Sequence, residues 1–100
     1  MTAPIEITLL TQQACSYCDH AKQVLERVGR DYPLQITEID LTAEEGRRLA
    51  QGAGVLFAPG VLVDGAPFSF GRLSERKLRR GLARRRSRTD TDIRATGSPG

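Results

Sequence analysis

Two cysteines three residues apart, Cys15 and Cys18, are the residues of this chain best suited to chemistry. They are the only cysteines among 100 residues, and at this spacing they cannot link distant loops. In a reducing compartment, a lone close pair more often serves redox chemistry or metal binding than structure. The pair therefore predicts thiol–disulfide exchange, with metal binding and two ordinary buried thiols as the alternatives.

The two sulfurs are expected to have different roles, because a predicted strand ends before them and a predicted helix begins at them. Cys15 falls just before or at the helix start, where unpaired amides and the helix dipole favour a negatively charged thiolate. Cys18 lies one turn further along the same face, so it can close a short disulfide afterwards. We predict that Cys15 attacks a substrate disulfide and that Cys18 resolves the product.

A metal site has fewer candidate ligands nearby than a closed site needs. His20 is the only histidine in the chain. On a helix Cys18 and His20 are two residues apart and face different directions. A site closed within one chain takes about four ligands, whereas only three candidates are present. We predict no metal and interpret His20 as a solvated helix residue; a cluster shared between chains stays open.

Hydrophobic periodicity predicts the elements that position the cysteines. Residues 5–10 begin by alternating and become continuously apolar, as in a strand that ends buried. Apolar residues from Ala21 to Val28 follow the spacing of one helix face, and Gly29 ends that helix. Residues 34–40 alternate again, and the long helix between the two strands favours a parallel crossover.

The second half of the chain predicts a helix, a hairpin and a last helix. Thr42 and Glu45 form a capping-box pattern ahead of a short helix. Asp64 and Gly65 separate two apolar runs, which predicts a hairpin with a type I′ turn. Ser74 can cap the last helix. The predicted order is β-α-β-α-β-β-α, an α/β fold with a four-stranded mixed sheet and about three helices.

Length and composition favour one small globular domain. The chain has 100 residues, of which 39% are hydrophobic, enough for a single core. We predict a domain over residues 1–86 and a disordered tail over residues 87–100, where small and polar residues dominate.

The first six residues lack secretory features, and no uncharged run reaches the ~20 residues of a membrane span. A cytoplasmic, soluble, monomeric protein is expected, with no membrane partner.

Positive charge is concentrated near the C-terminus, where eight of the fifteen basic residues lie between Arg76 and Arg88. Such a cluster could steer nucleic acid, an anionic membrane or an acidic redox partner. No aromatic residue interleaves with these arginines, which argues against a stacking platform for single strands. We favour a solvated helix end and predict no nucleic-acid partner.

The Cys-x-x-Cys after a strand, the element order and a proline that opens the hairpin together resemble the glutaredoxin family of the thioredoxin superfamily. The resemblance covers about residues 5–85 and implies a thioredoxin-like fold. Residues 11–18 are closer to glutaredoxins, which usually hold Pro-Tyr between the cysteines: Tyr17 matches and Ser16 departs. Thioredoxins proper typically hold a Trp where this chain has Ala14.

The resemblance also implies a substrate surface around the cysteines. Glutaredoxins hold a cis-proline where Pro59 stands, and a cis peptide there would present the backbone of Ala58 to an incoming peptide. Tyr17 would cover the disulfide or line a substrate groove, and packing at the helix end is the alternative role for it. Phe57, Phe68 and Phe70 are expected to be core residues, as strand aromatics mostly are. They could instead form an apolar rim, and Phe70 is the one we expect to be exposed.

Glutathione is the cosubstrate that the resemblance implies, yet two of its expected contacts differ here. Gln12 stands where glutaredoxins hold a lysine, and Arg72 stands where they hold an acid. The loss of the lysine weakens binding of a glutathione carboxylate, and Arg72 repels the amino group of glutathione. The use of glutathione therefore stays open, and no bound cofactor is predicted.

The partners implied are disulfide-containing proteins and a thiol reductant or reductase, in redox homeostasis and electron transport. A non-catalytic binding or redox-sensor module is the alternative.

Overall fold

The structure, a computed structural model, describes residues 4–85, so the predicted tail at 87–100 lies outside the described residues. The predicted order β-α-β-α-β-β-α is confirmed, and a last helix, α3, occupies residues 75–85. The other elements are β1 (Ile5–Thr11), α1 (Ser16–Val28), β2 (Leu34–Asp40), α2 (Glu44–Ala53), β3 (Gly60–Val63) and β4 (Ala66–Phe70). Within residues 4–85, no helix combines the length and apolarity needed to cross a membrane.

The four strands form one mixed sheet in the order β2-β1-β3-β4. Strands β1 and β2 are parallel, whereas β3 is antiparallel to both β1 and β4. Leu10 pairs with Gly60, and Gly60 pairs with Phe70. The end of β1, the start of β3 and the end of β4 therefore share one edge of the sheet. Besides the loop that follows β2, three loops meet at this edge, over residues 12–15, 54–59 and 71–74.

The core lies on both faces of the sheet because successive side chains of a strand point in opposite directions. Leu9 and Val61 face α1 and α3, while Leu10 and Leu62 face α2. This two-sided burial explains why β1 becomes continuously apolar towards its end. The larger cluster also contains buried residues of α1 and of the segment leading into and along α3, namely Ala21, Val24, Leu25, Val28, Leu73, Leu78 and Leu82.

The predicted hairpin turn is confirmed and is also held by neighbouring elements. Asp64 and Gly65 both have positive φ, 50° and 81°, as a type I′ turn requires. The Asp64 Oδ1 atom accepts a hydrogen bond from the Glu6 amide at 2.9 Å, and Arg85 forms an ion pair with the same carboxylate. The amide of Glu6 is the main cause of a lowered pKa for Asp64, and Arg85 lowers that pKa further.

The capping box predicted at Thr42 is wrong. Helix α2 begins at Glu44, and its cap residue, Ala43, makes no side-chain cap hydrogen bond. The Thr42 hydroxyl instead donates to Asp40 Oδ1 at 2.6 Å, and its amide donates to the same atom at 2.7 Å. An Asp side chain that binds the backbone two residues later stabilises a turn in place of a capped helix start.

Helices α1 and α3 are joined by a charged network as well as by the core. Ser74 caps α3 as predicted, since its Oγ accepts the amide hydrogen of Lys77 at 3.2 Å. Glu75 binds Arg27 of α1 at 2.9 Å and Arg79 of α3 at 3.1 Å. Arg79 continues the network to the carboxylate of Asp31, 2.6 Å away.

Glu75→Gln is expected to remove an acid-sensitive part of the protein's stability. Hydrogen bonds from Arg27 first, and then from Arg79, hold the pKa of Glu75 below its ordinary 4.5. A carboxyl group with a lowered folded-state pKa stabilises the fold fully above its unfolded pKa, and this stabilisation is lost as the pH falls through the lowered value. In urea unfolding, the difference in unfolding free energy between wild type and variant should therefore be larger near pH 7 than near pH 3.

Glu44→Gln is a matched control, because Glu44 lies 3.8 Å from Arg48 within α2 and both side chains are largely exposed. The unfolding free energy of this control should differ little from that of the wild type at both pH values, as is usual for exposed ion pairs. An equal loss of unfolding free energy for Glu75→Gln at neutral and acid pH would contradict the ionic origin of the effect.

Candidate active site

The cysteine pair lies at the sheet edge where the three loops meet, and its two sulfurs are joined in a disulfide. Cys15 is the N-cap residue of α1, and Cys18 lies in the first turn, with 5.2 Å between their Cα atoms. The predicted strand–loop–helix placement is therefore confirmed. Ala14 precedes the pair with φ of 52°, in a region that non-glycine residues rarely occupy.

The surroundings of the two sulfurs differ. Cys15 is partly exposed, whereas Cys18 is only 3% exposed. The Cys18 amide donates a hydrogen bond to Cys15 Sγ across 3.1 Å. In the reduced protein, this amide and the positive end of the helix dipole would stabilise a thiolate at Cys15. The arrangement favours nucleophilic attack from Cys15 and a buried, second position for Cys18.

The loop before β3 contains a cis peptide bond between Ala58 and Pro59, as predicted. Both residues are buried, and the Pro59 carbonyl accepts the amide hydrogen of Gly71 at 2.8 Å. Gly71 has φ of 82°, and a Cβ atom there would lie 3.0 Å from the ring of Phe57. In the sequence, the only sign that this position needs a glycine is that it directly follows β4. The structure adds the positive φ and the nearby Phe57 ring, both of which favour glycine over a residue with a side chain.

Large apolar side chains are exposed at the same end of the molecule. Phe57 and Phe70 are 53% and 41% exposed, and their rings meet edge to face with centroids 5.1 Å apart. Leu56, beside Phe57, is 78% exposed. We call Leu56, Phe57 and Phe70 the apolar rim. Exposed apolar patches of this kind mark interaction surfaces.

The three phenylalanines have different environments. Phe70 is exposed as predicted, and Phe68 packs against the main core. The core interpretation is wrong for Phe57 because that residue lies in the loop before β3 rather than in a strand. Leu56 was missed altogether, since an apolar loop residue has no periodic pattern that reports its exposure.

The remaining predicted contact residues lie at the same sheet edge. Tyr17 is in the first turn of α1 and is 55% exposed. Gln12 is exposed in the loop between β1 and α1, and Arg72 is exposed in the loop before α3. The sheet register thus brings the loops carrying Gln12 and Pro59, together with Phe70 at the end of β4, to one end of the molecule, beside the cysteines.

The interpretation of His20 as a solvated residue is wrong. The imidazole is partly buried, and its Nδ1 atom is buried with no hydrogen-bond partner within residues 4–85. A surface groove of about 500 Å³ lies between α1 and the start of α3 and includes His20 in its wall. Helical spacing alone could not show this, because the groove is closed by a segment more than fifty residues away. In the part of the chain that the structure describes, no three His, Cys, Asp or Glu side chains are grouped to hold a metal.

Solved structures share this fold at low sequence identity. A mutant thioredoxin from Halobacterium salinarum matches with a TM-score of 0.56 and 22% identity, over 74% of this chain and 67% of that one. A malarial protein matches with a TM-score of 0.62 and 12% identity, over 82% and 97% of the two chains. A Staphylococcus aureus protein of unknown function gives 0.57 and 16%, over 82% and 91%. These similarities confirm the thioredoxin-like fold.

Sequence comparison adds the family. No curated protein matches the chain at a significant level. The family described as "Glutaredoxin-like domain (DUF836)" matches residues 6–83, which include both cysteines and all four strands except Ile5, the first residue of β1. The Cys15–Cys18 disulfide within this domain indicates a redox function. The chain therefore belongs to the glutaredoxin-like domain family.

Proposed function

We propose that this protein is a thiol–disulfide oxidoreductase that reduces protein or mixed disulfides through Cys15 and Cys18. The observation that supports this most is the asymmetry of the pair. Cys15 is accessible at a helix N-terminus and accepts an amide hydrogen bond, while Cys18 is buried one turn behind it. A nucleophile and a resolving thiol need these two environments.

The reaction is two successive thiol–disulfide exchanges. The Cys15 thiolate attacks one sulfur of the substrate disulfide, forms a mixed disulfide and releases the other substrate sulfur as a thiolate, which takes up a proton. Cys18 then loses its proton and attacks Cys15 Sγ, which forms the Cys15–Cys18 disulfide and releases the second substrate thiol. Two electrons pass from the protein to the substrate, and an external thiol reductant or reductase restores the dithiol.

The substrate is proposed to bind across the shared sheet edge. Ala58, beside Pro59, offers its backbone to an extended substrate segment, and Tyr17 and Phe70 offer apolar contacts beside the cysteines. Gln12 is the polar contact from the loop before α1. The exposure of Tyr17 and Phe70 supports these roles, because the free energy falls when a partner covers apolar side chains that were exposed to water.

The protein is proposed to act as a monomer in the cytoplasm, in redox homeostasis and thiol-based electron transport. Its substrates are disulfide-containing proteins, and its electron donor is a thiol reductant or a reductase. Glutathione is a weaker candidate donor, because Gln12 stands in place of a lysine that would bind its carboxylate and Arg72 stands in place of an acid that would bind its amino group. No cofactor, nucleic acid or membrane is needed for this chemistry.

Insulin-disulfide reduction tests the proposal. With dithiothreitol as donor, the wild-type protein should accelerate insulin precipitation well above the uncatalysed rate. With glutathione and its reductase as donor, we expect a much slower rate because of Gln12 and Arg72. If neither donor supports turnover, the oxidoreductase proposal fails and a binding or redox-sensor module takes its place.

A further inference from the structure

A basic groove lies beside the candidate active site, between α1 and the start of α3. Its polar walls come from two helices and the loop before α3, and its volume is about 500 Å³. The polar lining residues are His20, Arg27, Arg72, Ser74, Glu75 and Lys77. A groove of this size holds more than a single small ion, so it can receive a side chain together with neighbouring backbone.

The groove carries uncompensated positive charge. Its one carboxylate, Glu75, is bound by Arg27 and also by Arg79 outside the groove. Arg72 and Lys77 form no ion pair within residues 4–85. The N-terminus of α3 adds the positive end of its dipole on the same side. The groove is therefore suited to binding an anion.

His20 forms part of the groove wall but does not define what the groove binds. Its Nδ1 atom is buried without a hydrogen-bond partner among the described residues, so a ligand in the groove does not reach it. The charge of the groove is therefore the property that selects its ligand. The carboxylate of an acidic residue in a peptide supplies the opposite charge.

The groove adjoins the candidate active site through the loop at residues 71–74, which forms part of its wall. Arg72 directly follows Gly71, whose amide donates to the carbonyl of Pro59 at 2.8 Å. Phe70, on the apolar rim, precedes the same loop. One polypeptide segment can therefore contact both the basic groove and the apolar rim.

We propose, on the basis of the function proposed above, that the basic groove binds an acidic side chain of a protein substrate, next to the disulfide being reduced. Arg72 and Lys77 pair with its carboxylate, and apolar neighbours in the substrate cover the apolar rim. Charge complementarity favours this occupant: the same groove repels the ammonium group of a lysine-bearing substrate. The enzyme therefore selects acidic disulfide segments.

Three peptides with one common disulfide test the proposal, differing only in whether a Glu, a Gln or a Lys flanks the cysteine. Pre-reduced protein is mixed with each oxidised peptide, quenched with acid, and the thiols are separated by chromatography. At low ionic strength we expect the Glu peptide to react about tenfold faster than the Gln peptide, and the Lys peptide to react slowest. Added salt should reduce these differences.

Arg72→Ser should bring the ratio of the Glu to the Gln rate close to one. Arg80→Ser is the matched control, because Arg80 is exposed on α3, outside the groove, and its loss changes the net charge equally. This control should keep the wild-type preference. Equal losses of preference in the two variants would show a general charge effect and overturn the groove as the binding site.

The outcomes separate this inference from the proposed function. Equal rates for the three peptides in the wild-type protein would overturn the inference and leave the oxidoreductase intact. No reduction of any peptide would overturn both. In a further arm, the Glu and Gln peptides carry glutathione in a mixed disulfide. If both react equally fast and both depend on Arg72, the groove binds glutathione and the proposed acidic substrate is wrong.

Discussion

Replacing Cys15 with serine should lower the rate of disulfide reduction at least about a thousandfold, because the remaining thiol, Cys18, is buried and poorly placed to attack a substrate. A serine hydroxyl at the start of α1 stays protonated near neutral pH and is a far weaker nucleophile than a thiolate. The measurement is the single-turnover rate with pre-reduced protein and an oxidised peptide. Reduction at the wild-type rate would contradict the role of Cys15.

Cys18→Ser is the informative counterpart, since it removes resolution but keeps attack. Cys18 is buried beside Cys15, so its loss should leave the first exchange in place and let the mixed disulfide accumulate. A non-reducing gel should show a covalent protein–substrate complex that dithiothreitol dissolves, and Cys15→Ser should show none. A complex formed by Cys15→Ser and not by Cys18→Ser would reverse the two roles.

Gly46→Ala is expected to destabilise the fold by about 3 kcal/mol, the range of an overpacked core site. Gly46 is buried in the first turn of α2. A Cβ atom there would lie 2.0 Å from the carbonyl oxygen of Asp40 and 2.8 Å from its carbonyl carbon. Both atoms belong to the backbone at the end of β2, which can move only by shifting the strand. A fall of more than about 10 °C in the melting temperature should follow.

Gly52→Ala in the same helix is the control, because a Cβ atom at Gly52 meets nothing within 4 Å. Alanine restricts the unfolded chain and favours the helix, so this variant should be more stable by about 0.5–1 kcal/mol. Thermal unfolding of the two variants should therefore move in opposite directions. Stabilisation by both would mean that the contact between α2 and β2 tolerates the added methyl group.

Local sequence signals were enough to predict the elements and the place of the cysteine pair among them. Cys15 and Cys18 lie at a strand–loop–helix junction, and residues 34–40 form a strand over those bounds. Asp64 and Gly65 form the predicted turn. Each of these features depends on residues within a few positions of one another, so their energetics are already present in a short segment of chain.

One miss was a competition between two local signals. Asp40 accepts hydrogen bonds from both the amide and the hydroxyl of Thr42, and this turn prevails over the capping box that the spacing from Thr42 to Glu45 suits. Another miss depends on distant segments. Ile36 follows the apolar alternation of β2, yet it is exposed because β2 is an outer strand of the sheet.

The surface around the cysteines depends on tertiary structure most of all. Phe57 and Phe70 meet only because the register of β3 and β4 brings a loop and a strand end together. His20 and Arg72 share a groove only because α3 packs against α1. The short-range pattern of residues thus determines the reactive pair. Long-range packing decides what surrounds it, because side chains separated by more than fifty positions become neighbours only in the folded chain.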